Sequence, residues 1–159
     1  MSCLLKGAKF YNSNEKDVLV QSEDKSVETL LFDGCIVMPS FCDVHVHFRE
    51  PGFEYKETIK TGSLSALAGG YTDVCTMPNL KPCPDSKENL GLQLGKINSD
   101  SDIGIHPYGV ITKGQMGEEL SDMENLAPDV IAFSDDGHGS CRRSGGPCHD
   151  QGRENCRFR

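Results

Sequence analysis

The sequence predicts an α/β protein built as the first half of a (β/α)8 barrel, preceded by strands of a small β side domain. Two observations carry this. From Phe41 onward, short apolar strand-like runs alternate with helical stretches, as repeated βα units around a parallel sheet require. Chemistry-bearing residues then recur where those runs end, the rim at which barrel enzymes assemble their sites.

Residues 1–39 are short and turn-punctuated. KGAKFY, DVLVQ, SVETLLF and GCIVMP each read as a strand of the side domain. Residues 40–139 supply four strands, at about 42–48, 72–77, 103–110 and 130–134. Between them fall helical stretches, ETIKTGSLSALAGG, SKENLGLQLGKI and a short EELSDMENL. The glycine pair ending the first suits a left-handed stop, and Asp85 or Ser86 can cap the second. A doubly wound sheet would also use four strands. It would need a glycine-rich phosphate turn after the first strand, where HFREPGF stands instead.

The chain has 159 residues and a net charge of −8, so it would be repelled by nucleic acid and anionic membrane, and a small-molecule partner is expected. No apolar run is long enough to span a bilayer and no secretory leader is evident, which gives cytoplasmic residence as the expectation. The eight cysteines then read as thiols rather than disulfides, with Cys35, Cys42 and Cys75 as small buried hydrophobes and Cys3 and Cys83 without signal.

Residues 140–159 differ from the rest: five arginines against Asp150 and Glu154 give +3, so residues 1–139 carry −11. The segment follows no helical or strand period. Cys141, Cys148, His149 and Cys156 lack the tight Cys-x-x-Cys pairs of a zinc cluster. A reading-frame shift near Ser140 would account for so abrupt a change, and the segment is expected to be aberrant or disordered.

The central chemical signal is Asp43-Val44-His45-Val46-His47-Phe48-Arg49-Glu50-Pro51-Gly52. Residues two apart in a strand face the same side, so His45 and His47 project together with Arg49, while Val44, Val46 and Phe48 pack on the other face. Two imidazoles so placed can share one cation. A bare His-x-His also recurs by chance in half-buried strands, but here Pro51 and Gly52 stop the strand just beyond it. Thr76-Met77-Pro78-Asn79 ends the next strand, where Pro78 throws Asn79 into the loop. Phe133-Ser134-Asp135-Asp136-Gly137 ends the fourth, as either an oxygen ligand or a plain turn.

The stretch FCDVHVHFREPGFEYKETIKTGSLSALAGGYTDVCTMPNLKPCPDS, continued by HPYGVITKG and AFSDDG, closely resembles the dihydroorotases of the cyclic amidohydrolase superfamily. The resemblance covers roughly residues 30–139. It implies a TIM-type barrel of the metal-dependent amidohydrolases, with one or two Zn²⁺ ions at the carboxyl ends of its strands. The implied reaction is reversible conversion of dihydroorotate and water to N-carbamoyl-L-aspartate in pyrimidine biosynthesis, by metal-activated water. His45 and His47 match the paired metal ligands of the first strand, Asp136 a carboxylate metal ligand, and Arg49 and Asn79 the residues that hold the substrate carboxylate. Glu50 has no role in the likeness and reads as a loop residue.

Ser40 departs from the glycine usual before Phe41. The further histidine ligands and the proton-shuttling aspartate of the family have no counterpart in this chain, which therefore reads as an amino-terminal fragment with no catalytic residue of its own and no activity alone. A hydantoinase or allantoinase would share His-x-His. So would a non-catalytic scaffold for a transcarbamoylase partner, and self-association into a homo-oligomer is compatible with any of these.

Overall fold

The computed structural model describes residues 2–12, 14, 17–20 and 27–138. The expectations for residues 140–159 lie outside the described residues. The chain divides into two compact units, Met1–Phe41 and Cys42–Arg159.

The first unit is all β. Strands β1 (Ser2–Lys6), β3 (Asp17–Val20) and β4 (Val27–Leu31) form a sheet in the order β3-β1-β4, β1 antiparallel to β3 and parallel to β4. Strands β2 (Lys9–Phe10) and β5 (Ile36–Val37) form a parallel pair. KGAKFY, expected from the sequence as one strand, is not continuous, and the run before it is also strand. Instead Ser2–Lys6 is the central strand, and Gly7 separates it from a two-residue β2. Cys35 is exposed, contrary to its expected burial, because so short a strand offers no apolar face to cover it.

The second unit alternates as expected: β6 (Phe41–Val46), α1 (Ile59–Ala68), β7 (Tyr71–Thr76), α2 (Lys87–Asp100), β8 (Gly104–Gly109), α3 (Met123–Leu126) and β9 (Ala132–Phe133). The sheet order is β6-β7-β8-β9. β8 runs parallel to both neighbours, with Val74 opposite Ile105 and Gly109 opposite Phe133. Consecutive strands lying side by side, each pair joined by a helix-bearing crossover, is the topology of one arc of a barrel.

Local chemistry explains the helices. Thr58 and Thr61 cap α1 reciprocally, each side-chain oxygen accepting the other's backbone N–H at 3.1 Å. Its far end meets Gly70 at φ +86°, the left-handed stop that the glycine pair promised. At α2 the capping residue is Ser86, whose hydroxyl accepts from the Asn89 N–H at 3.3 Å. Asp85 instead accepts from the Asn89 side chain at 2.8 Å and the Gly114 N–H at 3.1 Å.

Phe48, Ile59, Val74, Ile97 and Ile105 form the buried cluster, with Val46, Ala66, Tyr71, Leu94 and Ile103 packed against it. The cluster joins strands β6, β7 and β8 to helices α1 and α2. Val44 does not join it and is 63% exposed, as is Cys42 in kind, because β6 is an edge strand covered only toward its carboxyl end. Cys75 is buried as expected. Cys83 is half-buried, and burial pushes its thiol up to about 11.

Helix α1 approaches Phe48 so closely that a Cβ on Gly62 would overlap the ring. Gly62→Ala is expected to destabilise the chain by about 1–3 kcal/mol, the usual cost of overpacking, measured by urea denaturation. An unchanged midpoint would mean that α1 is free to shift.

Candidate metal centre

Each candidate side chain leaves the carboxyl end of a strand. His45 lies near the end of β6 and His47 directly after it. Asn79 follows the buried Thr76-Met77-Pro78 segment after β7, and Asp136 follows β9. Backbone pairing continues past the strands: the Met77 N–H donates to the Val46 carbonyl at 2.8 Å and the Ser134 N–H to Gly109 at 2.9 Å. Those bonds hold His47, Asn79 and Asp136 on one rim.

His45, His47 and Asp136 converge there, with one ligating atom from each lying within 4.8 Å of the others. His45 Nε2 is 3.7 Å from Asp136 Oδ1, and His47 Nε2 is 3.6 Å from Oδ2. Their rings meet edge to face at 5.2 Å between centroids. These separations exceed a hydrogen bond and match a shared ion: ligands at about 2.0–2.1 Å in tetrahedral arrangement stand roughly 3.3 Å apart. The residues therefore fit a metal ion. Two imidazole nitrogens and a carboxylate oxygen make a donor set suited to a first-row transition ion.

Asn79 braces this group. Its Oδ1 lies 3.0 Å from His47 Nδ1 and its Nδ2 donates to Asp136 Oδ2 at 3.4 Å. With the Nδ1 proton given to Asn79, the His47 Nε2 lone pair is free to face a cation, the usual arrangement for a ligating histidine. Asp43 accepts from the His45 backbone N–H at 3.0 Å and so orders the strand beside that imidazole.

Arg49 stands in the loop after β6, half-buried, with its carbonyl accepting from the Phe53 N–H at 2.9 Å. Among the described residues no acid forms an ion pair with its guanidinium. Glu50, next in the chain, is 6% exposed and turned elsewhere: it accepts from the Ile59 N–H at 3.0 Å and pairs with Lys96 Nζ at 3.2 Å. Sequence reasoning gave Glu50 no part to play, because nothing local shows that α1 and α2 supply its partners.

The two adjacent acids after β9 divide sharply. Asp135 is buried and accepts from the backbone N–H groups of Ile111 and Thr112, at 2.9 and 3.2 Å, and from the Thr112 hydroxyl at 2.5 Å. Its carbonyl also takes the His138 N–H at 2.8 Å, closing a turn that passes through Gly137 at φ +81°. The buried acid serves the turn, and its neighbour Asp136 faces the two histidines.

Comparison with known proteins agrees with the fold. An L-hydantoinase (dihydropyrimidinase) from Arthrobacter aurescens superposes on 82% of this chain and 32% of its own, with a TM-score of 0.64 at 18% identity. A D-hydantoinase superposes on 84% of this chain and 32% of its own, TM-score 0.60, also at 18% identity. The architecture is thus that of part of the barrel those two enzymes share. A family model described as dihydro-orotase-like matches residues 34–144, and the chain belongs to that family.

Among curated relatives, a dihydroorotase of Fusobacterium nucleatum is 58% identical over 103 residues, covering 65% of this chain and 24% of the relative. One from Bacillus cytotoxicus is 39% identical over 154 residues, covering 87% of this chain and 36% of the relative. The chain spans about a quarter to a third of the length of these relatives.

The division between Asp135 and Asp136 is open to measurement. Asp135→Ala is expected to lower stability by about 1.5–3 kcal/mol, because several donors lose a charged acceptor. Asp136→Ala is expected to leave the melting temperature nearly unchanged while weakening divalent-metal binding at least tenfold in calorimetric titration. The reverse pattern would exchange the two roles.

Proposed function

We propose that the chain is the metal-binding and carboxylate-recognising portion of a dihydroorotase, an enzyme that interconverts dihydroorotate and N-carbamoyl-L-aspartate. The observation that carries this reading is the convergence of His45, His47 and Asp136 within 4.8 Å at the strand rim, with Asn79 bonded to both His47 and Asp136. Family membership and the names of the curated relatives support it.

Zn²⁺ is the metal proposed, held by His45, His47 and Asp136, in one or two ions per complete site. When bound it supplies Lewis acidity, activating water and polarising a carbonyl. The chain's own residues do the rest. Asp136 draws cationic charge to the rim, and Asn79 keeps His47 in the ligating tautomer. Arg49, with no acid paired to it among the described residues, offers a planar fork to a carboxylate. Asn79, at the same rim, can contribute its amide to that carboxylate.

A hydantoin ring or allantoin carries no carboxylate, so an Arg49 without an acid partner among the described residues favours dihydroorotate over those substrates. We also propose that residues 1–39 belong to the small β side domain and that the enzyme acts on its small-molecule substrate in the cytoplasm, alone or beside a transcarbamoylase. Among the described residues no helix is long and apolar enough to cross a membrane.

The test replaces the corresponding segment of the Fusobacterium nucleatum dihydroorotase with residues 34–138 of this chain. Turnover of dihydroorotate is expected, with hydantoin and allantoin near background. Chelation should abolish it and added zinc restore it. His45→Ala and His47→Ala should remove zinc and activity together, while Arg49→Met should lower kcat/KM about 100-fold, the size of a lost charged hydrogen-bond pair. Metal-independent turnover, or equal use of all three rings, would refute the proposal.

A further inference from the structure

Arg49 and Glu50 are neighbours in the chain, and an acid so close would ordinarily compete for the guanidinium. Here it does not. The Glu50 carboxylate is buried, one oxygen holding the N–H of Ile59 at the start of α1 and the other facing Lys96 Nζ on α2. Both helices thus grip the loop immediately beyond the strand. Hydrogen bonding to Glu50 raises the Lys96 ammonium pKa above its ordinary value, although the ammonium itself is solvent-accessible.

The same loop is pinned from a second side. The Lys81 N–H donates to the Pro51 carbonyl at 3.1 Å. Gly52, at φ +99°, crosses so close to Lys81 that any Cβ would overlap its carbonyl. Lys81 lies two residues beyond Asn79, so the loop bearing Arg49 and the loop bearing Asn79 are fastened together. Glu50 then ties this pair of loops to both helices through its carboxylate.

We propose that Glu50 is a positioning residue for carboxylate recognition: clamped between the Ile59 amide and Lys96, it sets the orientation of the Arg49 loop and leaves the guanidinium unneutralised for a ligand. This rests on Arg49 as the carboxylate receptor. Glu50 touches neither metal nor ligand, and its effect passes wholly through Arg49. Lys96, a surface residue on another helix, acquires a role in ligand preference through the same contact.

The test uses the 159-residue chain loaded with zinc and titrated, by NMR, with two ureido acids: N-carbamoyl-L-aspartate and N-carbamoyl-β-alanine, which lacks the α-carboxylate. The wild-type chain is expected to prefer the first. Glu50→Gln keeps an acceptor for Ile59 but loses the ion pair, and Lys96→Met alters only the exposed partner. Each is expected to reduce the preference about tenfold, as loss of a supporting contact does, with zinc uptake and far-UV circular dichroism unchanged. Lys96→Arg should preserve it.

A merely structural role would shift stability and leave the preference intact. An undiminished preference in folded, zinc-loaded Glu50→Gln and Lys96→Met therefore overturns the positioning role alone. Absence of any preference in the wild-type chain overturns the reading of Arg49 and the positioning role with it.

Discussion

Backbone hydrogen bonds that continue beyond the strands govern the arrangement at this rim. The bond from the Met77 N–H to the Val46 carbonyl fixes where β7 ends relative to β6, and therefore where Asn79 meets His47. The bond from Ser134 to Gly109 does the same for Asp136. Side-chain periodicity in a strand is two, so a slip of one residue in either pairing would turn a member of the His45, His47 and Asp136 group to the opposite face. The convergence of that group thus depends on register more than on any contact among its members.

The helices supply the rigidity that such dependence demands. Phe48 follows His47 by one residue and is buried in the cluster with Ile59, Val74, Ile97 and Ile105. The residue that anchors the strand end in the apolar layer is therefore adjacent to one that faces Asp136 at the rim. Gly62 lets α1 close on Phe48 without an intervening side chain. Apolar packing on one face and the candidate metal centre on the other are coupled across a single peptide unit.

Much of this was legible in the sequence. The alternation after Phe41 identified β6 to β9 and the helices between them, because period and turn residues agree there. His45 and His47 were legible from spacing, and Asn79 and Asp136 from their positions at strand ends and the family likeness. What was not legible is where each side chain finds a partner from a distant element. Nothing in Asp135-Asp136 alone says which acid turns inward to Thr112. Strand period places Val44 on a packed face and an apolar neighbourhood suggests burial for Cys42, but neither reports whether another element covers that stretch. Glu50 looked idle for the same reason, its partners lying nine residues away on α1 and across on α2.

The crossing of Gly52 over Lys81 carries an evolutionary consequence. Two loops in such contact cannot change length independently, since an insertion in either would displace the other and carry Arg49 or Asn79 with it. Diversification at this rim is therefore confined to exchanging side chains on a backbone of constant length. Segments without such a crossing are freer to grow.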